Sequence, residues 1–236
     1  MISGKKVLGL IPARGGSKGL PGKNLKALDG EPLLGWTIRT ARQSKYIDSL
    51  ILSSEDDEII SMAKQYEIDV PFKRPVELAQ DDTYMHDVVT HALDNIGEEF
   101  DYVVLLYLVV PFRRAMDIDQ ILELCENNQA KTAVSLTAPS KSPFWMYQVN
   151  EQTHEMTPLF PEHHLVNRRQ ELPSAYVLNG ALFVFTPEWF RQNNRISGID
   201  SLGYIMPAEY SVDIDSPMDF AMADSLIKNG FVKKPF

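Results

Sequence analysis

The sequence is short of several things, and each shortage removes a class of function. Cysteine occurs once, as Cys125, so no disulfide can form within the chain. Its setting, Ile121-Leu122-Glu123-Leu124-Cys125-Glu126, has the spacing of an amphipathic helix, which makes the thiol a packed core group rather than a nucleophile. No apolar run approaches the ~20 residues of a membrane-spanning helix, and no signal-peptide pattern opens the chain. A reducing, cytoplasmic setting without membrane contact is the expectation. Positive charge is also in deficit: 23 Lys and Arg against 32 Asp and Glu leave a net charge of −9, which argues against a nucleic-acid surface. Any anionic ligand must then be held by a local cluster against the global field. The five histidines suggest no metal site. His86 and His91 are five apart on a helix and diverge, while His163-His164 has the character of a polar loop pair. Internal repeats, low-complexity tracts and an obvious interdomain linker are lacking too.

What is present is an ordinary globular composition, 44% hydrophobic and 23% charged over 236 residues, enough to bury the core of one α/β domain spanning 1–236. Apolar runs alternate with helically spaced segments, the pattern of a three-layer α/β fold: a mostly parallel sheet with helices on both faces. Strands are expected at Lys6–Ile11, Ser49–Ser54, Tyr102–Val110, Ala133–Thr137, Leu178–Phe185 and near Tyr204–Met206. Helices are expected from Pro32 to about Ser44, from Ser54 toward Glu67, over Met85–Ile96 and 115–127, from Pro187, and from Pro217 to about Lys228. Region 139–175 breaks the alternation. Phe144–Val149 and Glu155–Phe160 suggest a small hairpin excursion, and its Phe144, Trp145, Met146, Tyr147 and Phe160 offer more apolar surface than a short hairpin buries alone. A homodimer joined through this inserted element is the expectation.

The first strand runs straight into Pro12-Ala13-Arg14-Gly15-Gly16-Ser17-Lys18-Gly19-Leu20-Pro21-Gly22-Lys23-Asn24. Glycines let backbone N–H groups approach a ligand, and Arg14, Lys18 and Lys23 supply charge for an anion, so the loop is a candidate polyphosphate cradle. It is not a P-loop: Ser17 stands where the first glycine belongs, and Asn24 where the metal-binding hydroxyl belongs. No Gly-x-Gly-x-x-Gly can be drawn through residues 14–24 either. A plain surface turn accounts poorly for so many glycines and cations after a first strand. Near the other end, Asp213 and Asp215 flank Ile214 with period two, so in extended chain both carboxylates face one way and can share a hard cation such as Mg²⁺. Alternatively, Asp215 or Ser216 caps the helix beginning at Pro217, and the two readings are compatible. Arg168-Arg169 with Gln170 precedes Leu178-Asn179-Gly180 and could meet an anionic sugar or simply be solvated.

Taken together, these residues resemble the CMP-sialic acid synthetase (acylneuraminate cytidylyltransferase) family, and the resemblance runs in order along nearly the whole chain. Ile11–Asn24 is similar to the family's nucleotide loop, and Lys73-Arg74-Pro75 with Leu78-Ala79-Gln80-Asp81 to its second nucleotide segment. Arg169-Gln170-Glu171-Leu172-Pro173, Tyr176 with Asn179-Gly180-Ala181, and Asp213-Ile214-Asp215-Ser216-Pro217 match its sugar and metal segments. The resemblance implies a Rossmann-like nucleotidyltransferase fold and transfer from CTP to a nonulosonic acid, with Mg²⁺ as cofactor. It implies Ala13, Arg14, Gly15, Lys23, Asn24, Arg74 and Thr83 at the nucleotide, and Tyr107, Arg169, Gln170, Tyr176 and Asn179 at the sugar. Asp213 and Asp215 fall at the metal, with Arg14, Lys23 and Asp213 closest to the chemistry. The Gly-Gly-Ser-Lys run points to a nine-carbon acid rather than the eight-carbon Kdo. One stretch departs: where the family carries Leu-Gln-Pro-Thr-Ser-Pro, this chain has Leu106-Tyr107-Leu108-Val109-Val110-Pro111. Nucleotidyl transfer to a sugar 1-phosphate, and a non-catalytic nucleotide-binding homologue with an altered sugar site, remain open at this stage.

Overall fold

A computed structural model describes residues 1–162, 165–166 and 168–236, so the His163-His164 pair lies outside the described residues. In chain order the strands are β1 (Val7–Pro12), β2 (Ala27–Leu28), β3 (Glu31–Pro32), β4 (Ser49–Ser53), β5 (Tyr102–Leu106), β6 (Thr132–Thr137), β7 (Tyr147–Val149), β8 (Met156–Pro158), β9 (Val177–Phe185) and β10 (Leu202–Ile205). The helices are α1 (Leu33–Arg42), α2 (Asp57–Gln65), α3 (Met85–Asn95), α4 (Ala115–Asn127), α5 (Pro187–Asn193) and α6 (Pro217–Lys228).

Six strands form the main sheet in the order β10-β6-β9-β5-β1-β4. Strand β9 runs antiparallel to both β5 and β6, and the other pairs are parallel. Successive side chains of a strand point to opposite faces, and here both faces are covered. On one face Val7, Ile11, Val104 and Leu106 pack with Leu34 and Ile38 of α1, Ile59 of α2, and Ile118, Ile121 and Cys125 of α4. On the other, Leu8, Leu10, Val103 and Leu105 pack with Val89 and Ala92 of α3 and Trp189 and Phe190 of α5. The three-layer expectation therefore holds, and Cys125 is the fully buried core thiol foreseen, its pKa pushed up to about 12 by desolvation. Among the described residues no helix is long and apolar enough to cross a membrane.

Two expectations need correction. The apolar run from Tyr102 predicts a strand to Val110, but β5 ends at Leu106 and residues 107–110 turn away. Leu108 and Val110 remain buried after the backbone has left the sheet, so hydrophobicity there reports burial and not extension. The hairpin is also shorter than expected, with β7 and β8 paired over three residues each and Phe144 and Trp145 in a 3₁₀ turn. The rings of Phe144 and Phe160 meet edge to face at 5.2 Å, and Trp145 Nε1 donates to the Val166 carbonyl at 2.7 Å. The outward apolar surface is made instead by Met146, Tyr147, Val149, Met156 and Leu159.

Strand β1 is where the sheet changes direction: the chain runs from β1 out to β4, then returns to β5 on the other side. Loops leaving the carboxyl ends of such strands diverge and open a crevice. The glycine loop leaves β1 at that place.

Candidate active site

The loop after β1 is built on one buried ion pair, Arg74 with Glu55. Gly15 N–H donates to Glu55 Oε1 at 2.7 Å, and a Cβ on Gly15 would lie 2.2 Å from Asp56 Oδ2, so any other residue there would push the Asp56 side chain aside. Arg74, 3% exposed, donates through Nη2 to the Ala13 carbonyl at 3.0 Å and to Glu55 Oε2 at 2.6 Å. Asn24 Nδ2 donates to the Arg14 carbonyl at 2.8 Å. These contacts shape the loop before any ligand arrives. Glu55 is a site residue the sequence reading missed; its only signal was an acid between β4 and α2, easily taken for helix-start chemistry.

Arg14, Lys23, Asn24, Arg74, Thr83, Tyr107 and Asp215 all line one cavity of about 460 Å³. Ala13 and Gly15 do not line it; their backbone groups bond Arg74 and Glu55 instead. Arg74 keeps a buried Nε without a partner among the described residues, a donor that an acceptor on a ligand would satisfy. Lys18 and Asp81 share the cavity, and both oxygens of Asp81 are engaged, one by Arg14 Nη1 at 3.0 Å and the other by Lys18 Nζ. The Lys18 ammonium, then the Arg14 guanidinium, hold Asp81 below the usual carboxylate range.

The carboxylate segment reaches the same cavity from the far end of the chain. Ile214 is fully buried in a cluster with Leu20 of the glycine loop, Phe112 and Trp36, and its N–H donates to the Val109 carbonyl at 2.8 Å. Three site segments are thus anchored in one apolar cluster. A Cβ on Gly19 would stand 2.3 Å from the Asp215 carbonyl oxygen, so loop and carboxylate segment touch backbone to backbone. Lys23 Nζ donates to Asp215 Oδ1 at 2.6 Å, its side chain 10% exposed. Capping of α6 falls to Ser216, in a reciprocal box with Asp219, which leaves the Asp215 side chain to Lys23. Asp213, two residues before Asp215, is exposed and does not line the cavity, yet crowding by protein and then the Asp215 charge raise its carboxyl to about 6, against a smaller opposing effect of Lys23. No hydrogen bond reaches the Asp213 carboxyl among the described residues. Two hard oxygen donors that repel each other, relieved only in part by Lys23, fit a divalent cation that keeps water or phosphate oxygens in its other positions. Among the described residues no three His, Cys, Asp or Glu side chains form a metal cluster.

The residues expected at the sugar are dispersed. Tyr107 lines the first cavity and packs edge-on against Phe183 with ring centroids 5.6 Å apart; burial pushes its phenol pKa up. Arg169, Gln170 and Tyr176 line a separate cavity of about 440 Å³ beside Ser142 and Pro139. Arg169 Nη2 donates to the Pro139 carbonyl at 2.7 Å. Asn179 lines neither cavity. It is buried, its Oδ1 accepts from Ser135 Oγ at 2.6 Å and Ala181 N–H at 3.1 Å, and its Nδ2 donates to Ser211 Oγ at 2.8 Å. As placed, that amide ties β6, β9 and the 206–211 segment together.

The sequence profile described as cytidylyltransferase matches residues 8–197. The CMP-N,N'-diacetyllegionaminic acid synthase of Legionella pneumophila is 30% identical over 231 residues, covering 94% of this chain and 97% of that protein. The pseudaminic acid cytidylyltransferase of Campylobacter jejuni is 32% identical over 229 residues, with the same 94% and 97% coverage. In three dimensions the chain is similar to a CMP:2-keto-3-deoxy-manno-octonic acid synthetase solved with CTP. The TM-score is 0.72 at 15% identity, covering 95% of this chain and 99% of that one, which speaks to the fold alone.

Proposed function

The chain belongs to the cytidylyltransferase family, and we propose that it activates a nonulosonic acid with CTP, releasing pyrophosphate and the CMP-linked sugar. The observation that carries this reading is the convergence of Arg14, Lys23 and Asp215 on one cavity at the carboxyl end of β1. In the proposed reaction the anomeric hydroxyl oxygen attacks the α-phosphorus and gives up its proton to water, an oxygen–phosphorus bond forms, and the bond from the α-phosphorus to the bridging oxygen breaks, its electron pair leaving with pyrophosphate. Arg14 and Lys23 hold the phosphates and take up the negative charge that develops on the departing pyrophosphate. Asp213 and Asp215 would hold Mg²⁺, which when bound supplies polarisation of the α-phosphate and lowers the pKa of the attacking hydroxyl. Ala13, Gly15, Asn24, Arg74 and Thr83 shape the nucleotide side, and Tyr107 closes the cavity toward the sugar.

Two features support a homodimer within the same reading. Arg169, Gln170 and Tyr176 stand at a cavity of their own, and the nearby hairpin exposes Met146, Tyr147, Val149, Met156 and Leu159. A dimer that buried this surface could bring the second cavity to a neighbouring nucleotide site.

Pyrophosphate release with CTP, Mg²⁺ and a panel of N-acetylneuraminic, legionaminic and pseudaminic acids tests the function directly. Turnover with at least one acid and a preference for CTP over other nucleoside triphosphates is expected. No release with any of them, or release only with a sugar 1-phosphate, would overturn it.

A further inference from the structure

Arg113 is the most unusual charge in the molecule. It is fully buried, and no carboxylate lies within ion-pair distance of it among the described residues. Its Nη2 donates to the carbonyls of Tyr107 and Val110 (2.9 Å to the latter) and lies 3.4 Å from Thr37 Oγ1, while Nε and Nη1 have no partner among the described residues. Desolvation pulls its pKa down to about 9, with only the more distant Asp117 acting the other way. A buried guanidinium without an ion pair is costly, and a side chain of similar volume without charge would fill the space more favourably. The site therefore calls for something a hydrocarbon could not do.

What it does is hold the turn at 107–110. Here β5 has ended, so the Tyr107 and Val110 carbonyls have lost their sheet partners, and Arg113 supplies them. Between them, the Val109 carbonyl accepts the Ile214 N–H at 2.8 Å. The backbone that carries Asp213 and Asp215 is thus hung from the turn that Arg113 clamps. The same turn presents Tyr107, Leu108 and Val109 to the cavity that also holds Arg14, Lys23 and Asp215.

We propose that Arg113 is a positioning residue for the carboxylate pair: by clamping the 107–110 turn it fixes the Val109–Ile214 tether, and with it the placement of Asp213 and Asp215 toward a divalent cation. The inference rests on the reading of those carboxylates as cation ligands. A hydrocarbon at 113 would keep the packing but release the turn. A lysine would end one bond short of the place where Nη2 meets both carbonyls, so its ammonium would not clamp the turn.

The test uses the full chain and two readouts other than turnover: hydrogen exchange at the Ile214 amide, and Mn²⁺ binding by electron paramagnetic resonance. In the wild type Ile214 is expected to be among the slowest-exchanging amides of residues 207–216. Exchange as fast as its exposed neighbours would mean that no tether exists, and this arm needs no variant. Arg113→Lys is expected to speed Ile214 exchange at least tenfold and to raise the Mn²⁺ Kd at least fivefold, with circular dichroism unchanged. A folded Arg113→Lys with both quantities within twofold of wild type would overturn the proposal, whatever its Tm. Wild-type Mn²⁺ affinity that is indifferent to Asp213→Asn would instead remove the cation reading. In that case the exchange arm still reports on the tether alone.

Discussion

Lys23 is the residue whose loss should be most informative. Its side chain is nearly enclosed, 10% exposed, and its one ion-pair partner among the described residues is Asp215, itself 71% exposed at the cavity. Replacing Lys23 with methionine keeps the aliphatic stem and removes the charge. Because the Asp215 side of the pair is open to solvent, its contribution to stability is that of a surface pair, under about 1 kcal/mol, so the fold should survive with a small change in Tm. Catalysis should suffer more. A charge-assisted contact to phosphate contributes about 1.5–3 kcal/mol, and at ~1.4 kcal/mol per factor of ten this becomes roughly 10- to 150-fold in kcat/KM for CTP. If Lys23 also meets charge that appears only as pyrophosphate departs, most of the loss falls on kcat and not on KM. The assay is pyrophosphate release under saturating nonulosonic acid, with thermal unfolding in parallel. A kcat/KM within threefold of wild type would refute the assignment of Lys23 to the phosphates. Equal losses of activity and of folded protein would show it to be structural. Arg14→Ala should behave in the same way.

Asp213→Asn should abolish cation-dependent turnover, and the wild type should be inactive in excess chelator; full activity there would make the carboxylates structural. The same substitution should stabilise the metal-free protein, with a definite pH dependence. Asp213 is raised from 3.8 to about 6 in the folded chain, so the native state holds its proton more tightly than the unfolded one. Stability from this group is present below pH ~4 and is lost as pH rises through ~6. A shift of about two pKa units corresponds to at most ~3 kcal/mol, which the exposure of Asp213 to solvent reduces to about 1 kcal/mol. Metal-free Asp213→Asn should therefore melt about 2–4 °C above wild type at pH 8 and level with it at pH 4, and the reverse order would refute the placement. Light scattering at micromolar concentration should give a dimer mass, and Met156→Glu should shift it toward the monomer; a wild-type monomer would dismiss the hairpin as an interface. With Tyr107 at the cavity wall, N-acetylneuraminic acid should be a poorer substrate than legionaminic or pseudaminic acid, since each buried hydroxyl left unpaired costs about 1–3 kcal/mol. A higher kcat/KM for N-acetylneuraminic acid than for the other two would defeat that idea.

Much of this molecule is local and so was legible in the chain. Alternation of apolar residues at period two and near 3.6 defines β1, β4, α1 and α4 within a residue or two, and α2 within three, because each element must bury one face or both. Four glycines and three cations after β1 announce an anion site whatever the fold around them. Ser216, Pro217 and Asp219 announce the start of α6, since their chemistry acts within one turn. What the chain could not show depends on partners distant in sequence. The run to Val110 is apolar on either side of the point where β5 ends, and only Arg113 beneath the turn and Ile214 across from it account for the break. Glu55 becomes a support of the glycine loop only when Arg74 is folded onto it. Asn179 looked free to meet a sugar until Ser135, Ala181 and Ser211 occupied its amide. Lys23 and Asp215, 192 residues apart, make one site only because α1, α6 and the 107–112 turn share a single apolar cluster. Patterns of burial are written locally, whereas hydrogen-bond and charge partners are chosen by the packing that brings distant segments together.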